Sequence, residues 1–215
     1  MTVPGVVHWG RPLTAVLTTL LVAMLAGCLE PDEGDPQVRD AIREVNDVFA
    51  ASYQKMLEQN GVRNFPVDQA AAISAMERVL RSVGFVVRRR EGDYYLHVSA
   101  PAPLPLNTAE WDLVRSLDEP AMREIAVRYL GLKGNLARLQ PQGLEVHGYL
   151  TLLPAAQGTD ISLTMRMLET RPADPNSVLP RRDYPPPHAA QIGYEKIWQR
   201  FGAETARPTH TSDIR

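Results

Sequence analysis

The chain has 215 residues, of which 44% are hydrophobic and 7% aromatic, with 18 prolines and one cysteine. This length and composition predict one globular domain with extensions, and they exclude a disordered or fibrous chain. The 23 basic and 25 acidic side chains give a formal net charge of -2, which argues against nucleic-acid binding. A single cysteine excludes an internal disulfide and a cysteine-cluster metal site.

The N-terminal segment has the layout of a secretory signal peptide. Residues 1–27 contain one charged side chain, Arg11, and an apolar run of 13 residues from Leu13 to Leu25 precedes two small residues. A membrane-spanning helix needs roughly 20 apolar residues, so this run is too short to remain as an anchor. We therefore expect the signal peptide to be removed after residue 27.

The residues around the cleavage point, Leu25-Ala26-Gly27-Cys28, resemble the lipobox of bacterial lipoproteins, and the only cysteine stands where that family is lipidated. The resemblance implies a diacylglycerol on the sulfur of Cys28 and an acyl chain on its new amino group, and we expect no other cofactor. Two or three acyl chains, at about 0.8 kcal/mol per buried CH₂, hold a protein on a bilayer, whereas one binds marginally. The alternative is an unmodified cysteine behind an ordinary signal peptide.

The residue that follows Cys28 indicates at which membrane the protein is expected to lie. In the lipoprotein family an aspartate there commonly retains the protein at the inner membrane, and here the residue is Leu29. The resemblance therefore implies a lipid-anchored protein on the periplasmic face of the outer membrane, rather than at the inner membrane.

Two helices are expected to precede the first strands. Residues 28–36 are acidic, contain Gly and Pro and lack apolar periodicity, which predicts a solvated tether. Apolar residues then recur at helical spacing as far as Gln59, where Asn60-Gly61 predicts a left-handed stop. After a short extended piece over 62–67, Asp68 is a candidate N-cap of a second helix that ends at Gly84.

A hairpin and two more helices come next. β-rich runs over 85–90 and 94–100 are separated by a Glu-Gly-Asp turn, which predicts a hairpin. Asn107, with a glutamate three residues later, has the pattern of a capping box and starts a helix. Pro120 fits the first position of another helix, which Gly131 ends.

Three further strands are predicted over 135–140, 144–153 and 160–169. In the last two, apolar residues alternate strictly with polar ones, which is typical of an antiparallel sheet with one buried and one solvated face. The sequence therefore predicts an α+β domain over 37–170: an antiparallel sheet of about five strands with helices packed on one face.

The C-terminal region is predicted to be separate from this domain. Residues 171–188 hold six prolines, which predicts an extended linker. Residues 189–202 are predicted to form an amphipathic helix, and residues 203–215 a flexible tail. The apolar side chains of the helix are candidate partner-binding residues: Tyr194, Ile197, Trp198 and Phe201. The alternative is that the helix folds back onto its own domain.

Two further groups of side chains, one of arginines and one of histidines, are candidate binding sites. Arg88, Arg89 and Arg90 at the hairpin tip are candidate anion-binding residues, although a solvated charge run that protects a sheet edge is the favoured interpretation. His97 and His147 lie in predicted strands and could share a metal if those strands are neighbours. The chain has no HxxxH or HExxH spacing, so surface histidines are the favoured interpretation and no metal is expected.

The sequence offers no catalytic motif: it has no GxSxG, Walker loop or GxGxxG, and lipidation would remove the only thiol. We therefore expect a protein that is not an enzyme but a membrane-anchored, protein-binding or assembly module of the cell envelope, with an envelope protein as partner. In general plan it resembles the small α+β lipoproteins that accompany envelope assembly machines. The alternative function is an envelope glycan- or lipid-binding protein or a hydrolase.

Overall fold

The computed structural model describes residues 35–89, 94–170, 179 and 184–206. Within these residues the chain forms four α-helices and five strands, which confirms the predicted α+β class. In chain order the elements are α1 (Pro36–Asn60), β1 (Val62–Phe65), α2 (Gln69–Ser82), β2 (Val86–Arg89), β3 (Tyr95–Pro101), α3 (Thr108–Leu130), a 3-10 helix (Gly131–Leu136), β4 (Leu144–Ala155), β5 (Gly158–Glu169) and α4 (Pro187–Thr205).

The strands form one antiparallel sheet in the order β1-β5-β4-β3-β2. Its centre is the long hairpin of β4 and β5, paired from Ala155 and Gly158 to Leu144 and Glu169. Gly158 closes the hairpin at φ +101°, and a Cβ there would lie 2.0 Å from the carbonyl oxygen of Phe65. Only glycine tolerates both that backbone conformation and that approach.

Alternation along the strands produces two different sheet faces. The inner face is buried and is covered by residues of α1, α2 and α4, which join the sheet in one apolar cluster. Its side chains come from the three central strands: Leu96, Val98 and Ala100 of β3; Leu144, Val146, Leu150 and Leu152 of β4; and Ile161, Leu163, Met165 and Met167 of β5. Helices therefore pack on one face of the sheet, as the alternating pattern predicted.

Side-chain caps explain where α2 and α3 begin. The Asp68 side chain accepts the backbone N–H of Ala71 at the start of α2. Asn107 and Glu110 form a complete capping box at the start of α3. These caps satisfy N–H groups that have no partner within the helix, so both predicted N-termini are confirmed.

The predicted break at Pro120 is wrong, because α3 runs through it as one helix from Thr108 to Leu130. Proline inside a helix removes one backbone hydrogen bond and crowds the preceding turn. The helix nevertheless continues because apolar residues on both sides of Pro120, including Trp111 and Met122, enter the same cluster with α1. Packing of both halves against one partner outweighs the local defect.

The predicted strand over 135–140 is also wrong. Residues Gly131–Leu136 form a 3-10 helix, and the missing fifth strand is instead β1, which the sequence had suggested only as an extended piece. Gly134 lies against α3, where a Cβ would be 2.4 Å from the backbone nitrogen of Val127. This close approach holds the segment on the helix and away from the sheet.

The predicted separate C-terminal helix is part of the domain core, so the boundary at residue 170 is wrong. The helix α4 is longer than predicted, from Pro187 to Thr205. Leu179 and Tyr184, from the predicted linker, also pack against the apolar clusters. The predicted signal peptide, the tether over residues 28–34 and the tail beyond 206 lie outside the described residues.

Candidate functional site

The sheet face opposite the helices is the candidate functional surface, and we call it the open face. Alternation directs every second side chain of the strands to it, and none of these side chains is buried. The residues that define the open face are Val62 and Asn64 of β1; Val86 and Arg88 of β2; Tyr95, His97 and Ser99 of β3; Glu145, His147, Tyr149, Thr151 and Leu153 of β4; and Asp160, Ser162, Thr164, Arg166 and Leu168 of β5.

Two histidines meet at the centre of the open face. The strands β3 and β4 are neighbours, with His97 paired to Tyr149 and Ser99 paired to His147, so His97 and His147 are diagonal neighbours. His97 Nε2 lies 3.1 Å from His147 Nδ1, and the other ring nitrogen of His147 lies 3.1 Å from a carboxylate oxygen of Glu145. The structure thus joins the two histidines that the sequence considered as a pair.

Aromatic rings extend this cluster along the sheet. The rings of His97 and Tyr149 stack with centroids 4.9 Å apart, and those of His97 and His147 stack at 5.3 Å. Tyr95 adds a fourth ring, 6.3 Å from Tyr149. Cross-strand aromatic pairs of this kind stabilise a sheet by fractions of a kcal/mol each, and here they also give the open face a continuous aromatic stripe.

Glu145 is held in its ionised form. A hydrogen bond from Ser99 lowers the pKa of the Glu145 carboxyl, partial burial opposes this, and the His147 hydrogen bond together with the charges of His147 and Arg88 lowers it further. The side chain therefore stays negatively charged beside the histidines under neutral conditions.

Of the three predicted anion-binding arginines, the structure places the side chain of Arg88 alone. Arg88 lies on the open face opposite His97. The backbone of Arg89 pairs with Leu96, and Arg90 lies outside the described residues. Arg88 is therefore the arginine of this run that we include in the candidate site.

The predicted partner-binding residues are not available to a partner. Tyr194, Ile197 and Phe201 are fully buried and Trp198 is 1% exposed, so this prediction is corrected. The Trp198 indole N–H donates to the carbonyl oxygen of Asn60 at 2.9 Å. The apolar stripe of the helix was read correctly, but it faces the protein's own core.

Tyr194 and Tyr53 form hydrogen bonds with backbone groups of β5 in that core. The strand β1 pairs with β5 only as far as Ser162, which leaves backbone groups of β5 without a strand partner beyond that point. The Tyr194 hydroxyl donates to the carbonyl oxygen of Leu163, and the Tyr53 hydroxyl accepts the N–H of Met165. Burial raises the pKa of both tyrosines, so both hydroxyls remain protonated. They replace the missing strand at this part of the sheet edge.

Two buried carboxylates in α3 are structural. Asp118 accepts the backbone N–H and the ring Nδ1 of His188 in the first turn of α4, where it satisfies a helix terminus. Burial raises the pKa of Asp118, and the His188 hydrogen bonds oppose that rise. Glu119 binds Arg115 and Arg123 and accepts the N–H of Leu139. Each carboxylate is engaged in holding a neighbouring segment.

The most apolar cavity is small, and the described residues form no larger metal-ligand cluster. An apolar cavity of about 30 Å³ lies between the Pro103–Leu106 segment and α4, which is the volume of about one water molecule. Within the described residues, no group of three or more His, Cys, Asp or Glu side chains is arranged to hold a metal ion. The sequence identified the histidines but not the tyrosines around them, although the alternation of β4 already placed Tyr149 on the solvated face.

The proposed lipidation site, Cys28, lies outside the described residues. Among the described helices, none combines the length and the apolar character that crossing a bilayer requires. Comparisons of the chain with protein-family models, with curated proteins and with solved structures found no match.

Proposed function

We propose that this protein is a non-enzymatic, lipid-anchored protein of the bacterial envelope that binds a protein partner through its open face. The observation that carries the proposal is the aromatic stripe of Tyr95, His97, His147 and Tyr149, on a sheet face that none of the described helices covers. The buried C-terminal helix leaves the open face as the surface on which such a contact can form.

The composition of the open face supports a protein partner. Interface cores are enriched in aromatic residues and arginine and depleted in lysine. The open face carries two tyrosines and two arginines, Arg88 and Arg166, and no lysine. Its rim holds apolar side chains that are 47–62% exposed: Val62, Val86, Leu153 and Leu168. A partner that covers the face removes these side chains from water.

The open face has the area of a small interface. Five strands at a spacing of about 4.8 Å span about 19 Å, and a strand of 12 residues such as β4 is about 40 Å long. The outline is therefore at most about 760 Å², and the four-residue strands β1 and β2 reduce it, whereas specific interfaces bury about 800 Å² on each partner.

The anchor proposal rests on the sequence Leu25-Ala26-Gly27-Cys28 and its resemblance to the lipobox. Acyl chains on Cys28 would keep the domain at the periplasmic face of the outer membrane. Mass spectrometry of the N-terminal peptide tests this directly. An unmodified Cys28 in protein extracted from membranes would overturn the anchor.

Site-specific photocrosslinking tests the open face. A photoreactive phenylalanine analogue replaces Thr164, which is exposed at the centre of the open face, or Val48, which is 41% exposed on α1 and serves as the control. We expect a discrete protein adduct from position 164 alone in intact cells. Adding Tyr149→Ala to the Thr164 variant should reduce the adduct, because it interrupts the aromatic stripe.

Two outcomes contradict the proposal: no adduct from position 164, or the same adducts from positions 164 and 48. Retention of the protein on purified cell-wall glycan, lost in the Tyr149→Ala variant, would instead support the envelope glycan-binding function.

A further inference from the structure

We propose that His97 and His147 form a two-imidazole binding site for a divalent transition-metal cation, with Zn²⁺ as the probe ion. The inference goes beyond the partner-binding function and does not depend on it. Neutral imidazole is the side-chain ligand that Zn²⁺ and Cu²⁺ share, and two such nitrogens converge on the open face.

The separation of the two imidazole nitrogens suits a bound metal ion. His97 Nε2 and His147 Nδ1 are 3.1 Å apart. An ion at the usual Zn–N distance of about 2.0–2.1 Å from both nitrogens would see them at an angle of about 100°, close to the tetrahedral value. Without an ion, one proton on one ring bridges the same two atoms. A bound ion would replace that proton, although it would lie about 1.3 Å off the line between the two nitrogens.

A carboxylate contacts the other ring nitrogen of His147. Metal-binding histidines almost always donate their other ring N–H to a carboxylate, a carbonyl or a water molecule, which fixes the ring and its tautomer. Glu145 lies 3.1 Å from His147 Nε2, so the N–H belongs on that nitrogen and Nδ1 keeps its lone pair for a metal.

The ring of His97 is held in place by a neighbouring aromatic ring. The ring of Tyr149 stacks on it at 4.9 Å with an interplanar angle of 15°. The two imidazoles come from neighbouring strands of a continuous sheet rather than from loops, so little ordering is needed when an ion binds. The solvent-accessible side of the open face leaves room for water to complete the coordination.

Two positive charges lie near the pair and limit its affinity for a cation. Arg88 is opposite His97, and its charge acts on Glu145. Arg166 is opposite His147, but its guanidinium lies over the ring of Tyr184 with 5.6 Å to the centroid. Arg166 therefore has another partner, whereas Arg88 remains a positive charge beside the site that lowers its affinity for a cation.

Isothermal titration calorimetry with ZnCl₂ in a non-coordinating buffer tests the site. The full chain is used in detergent without an affinity tag, and every variant carries Cys28→Ser so that the only thiol cannot bind the ion. The test variants are His97→Gln and His147→Gln. His210→Gln is the control because it removes a histidine from the segment beyond residue 206.

We expect one Zn²⁺ per chain in the parent protein and a loss of affinity of at least about tenfold in either test variant, with the control unchanged. Glu145→Gln retains both ligands but weakens the support of His147, and we expect a loss of about tenfold. Electron paramagnetic resonance of bound Cu²⁺ gives a second readout, with two nitrogen ligands in the parent protein and one in each histidine variant. Circular dichroism checks that the variants are folded.

Zn²⁺ affinity that is equal in the parent protein and in His97→Gln would overturn the proposal, as would the absence of binding. Either result would leave His97 and His147 as a hydrogen-bonded pair only. The crosslinking experiment on the open face uses a different probe and a different variant, so the failure of one proposal is distinguishable from the failure of the other.

Discussion

Glu119→Gln removes the one negative charge that joins α3 to the segment after the 3-10 helix. The Glu119 side chain is 5% exposed and accepts hydrogen bonds from Arg115 at 2.9 Å, from Arg123 and from the backbone N–H of Leu139 at 3.1 Å. Glutamine has nearly the same shape, so the substitution changes charge and donor pattern while leaving the packing intact.

The size of the effect follows from what glutamine cannot replace. Its carbonyl oxygen can still accept the N–H of Leu139, but its amide group presents N–H donors to an arginine that also donates. A hydrogen bond to a charged group contributes about 1.5–3 kcal/mol. The side chains of Arg115 and Arg123 are 42% and 33% exposed, so water compensates part of the loss. We expect a decrease of about 2–3 kcal/mol in the free energy of unfolding, or about 5–10 °C in Tm.

The pH dependence of this effect has a definite sign. Burial acts to raise the pKa of Glu119, but the bonds from Arg115 and Leu139 and the arginine charges outweigh it, and the pKa lies below the ordinary value of 4.5. The folded state then binds this proton less readily than the unfolded chain. The stabilisation is fully present above about pH 4.5 and is lost as the pH falls through the folded-state pKa.

Urea denaturation at pH 7 and at pH 3.5 measures both effects. Glu124→Gln is the matched control, because this glutamate is exposed on the same helix, and its substitution should change stability by less than about 0.5 kcal/mol. The reasoning is refuted if Glu119→Gln is as stable as the control at pH 7. A deficit that remains undiminished at pH 3.5 would show that the charge is not its source.

Four further substitutions test the core by the same denaturation assay. Tyr53→Phe and Tyr194→Phe should each cost about 1–2 kcal/mol and combine non-additively, since their hydroxyls lie 3.0 Å apart, whereas Tyr149→Phe on the open face should change little. Trp198→Ala should cost about 3–5 kcal/mol, because the side chain is 1% exposed, and an unchanged stability would contradict the docking of α4. Asp118→Ala should cost about 1–2 kcal/mol through loss of the contact at the α4 N-terminus, and wild-type stability would show that this contact is dispensable.

The parts of the fold that local physics determines could be predicted from the sequence. Asp68 and Asn107 cap helices through contacts within three residues, and the strict alternation of β4 and β5 identifies two strands and their buried face. The predicted helix start at Pro120 is wrong because proline's local preference for the first turn of a helix is weaker than the packing of α3 against α1, which is distant in sequence. The 3-10 helix was missed for the same reason, since its position depends on a close approach to α3.

The site was partly predictable. Alternation alone places His147 and Tyr149 on the solvated face, but their contact with His97 depends on which strands are neighbours and in what register. The apolar stripe of α4 was recognised, but periodicity states only that a helix has an apolar face, not what covers it. Trp198 meets residues at the start of the sheet, a contact that no pattern within the helix could indicate.

The pairing of Tyr53 with Tyr194 joins residues 141 positions apart, and it affects how the protein is made. Synthesis proceeds from the N-terminus, so all five strands have emerged before α4, which supplies part of the cover for the inner face. Until residues 194–201 arrive, the apolar face and the polar groups of β5 are exposed. A chain ending before Pro187 would therefore be an incomplete fold prone to aggregation.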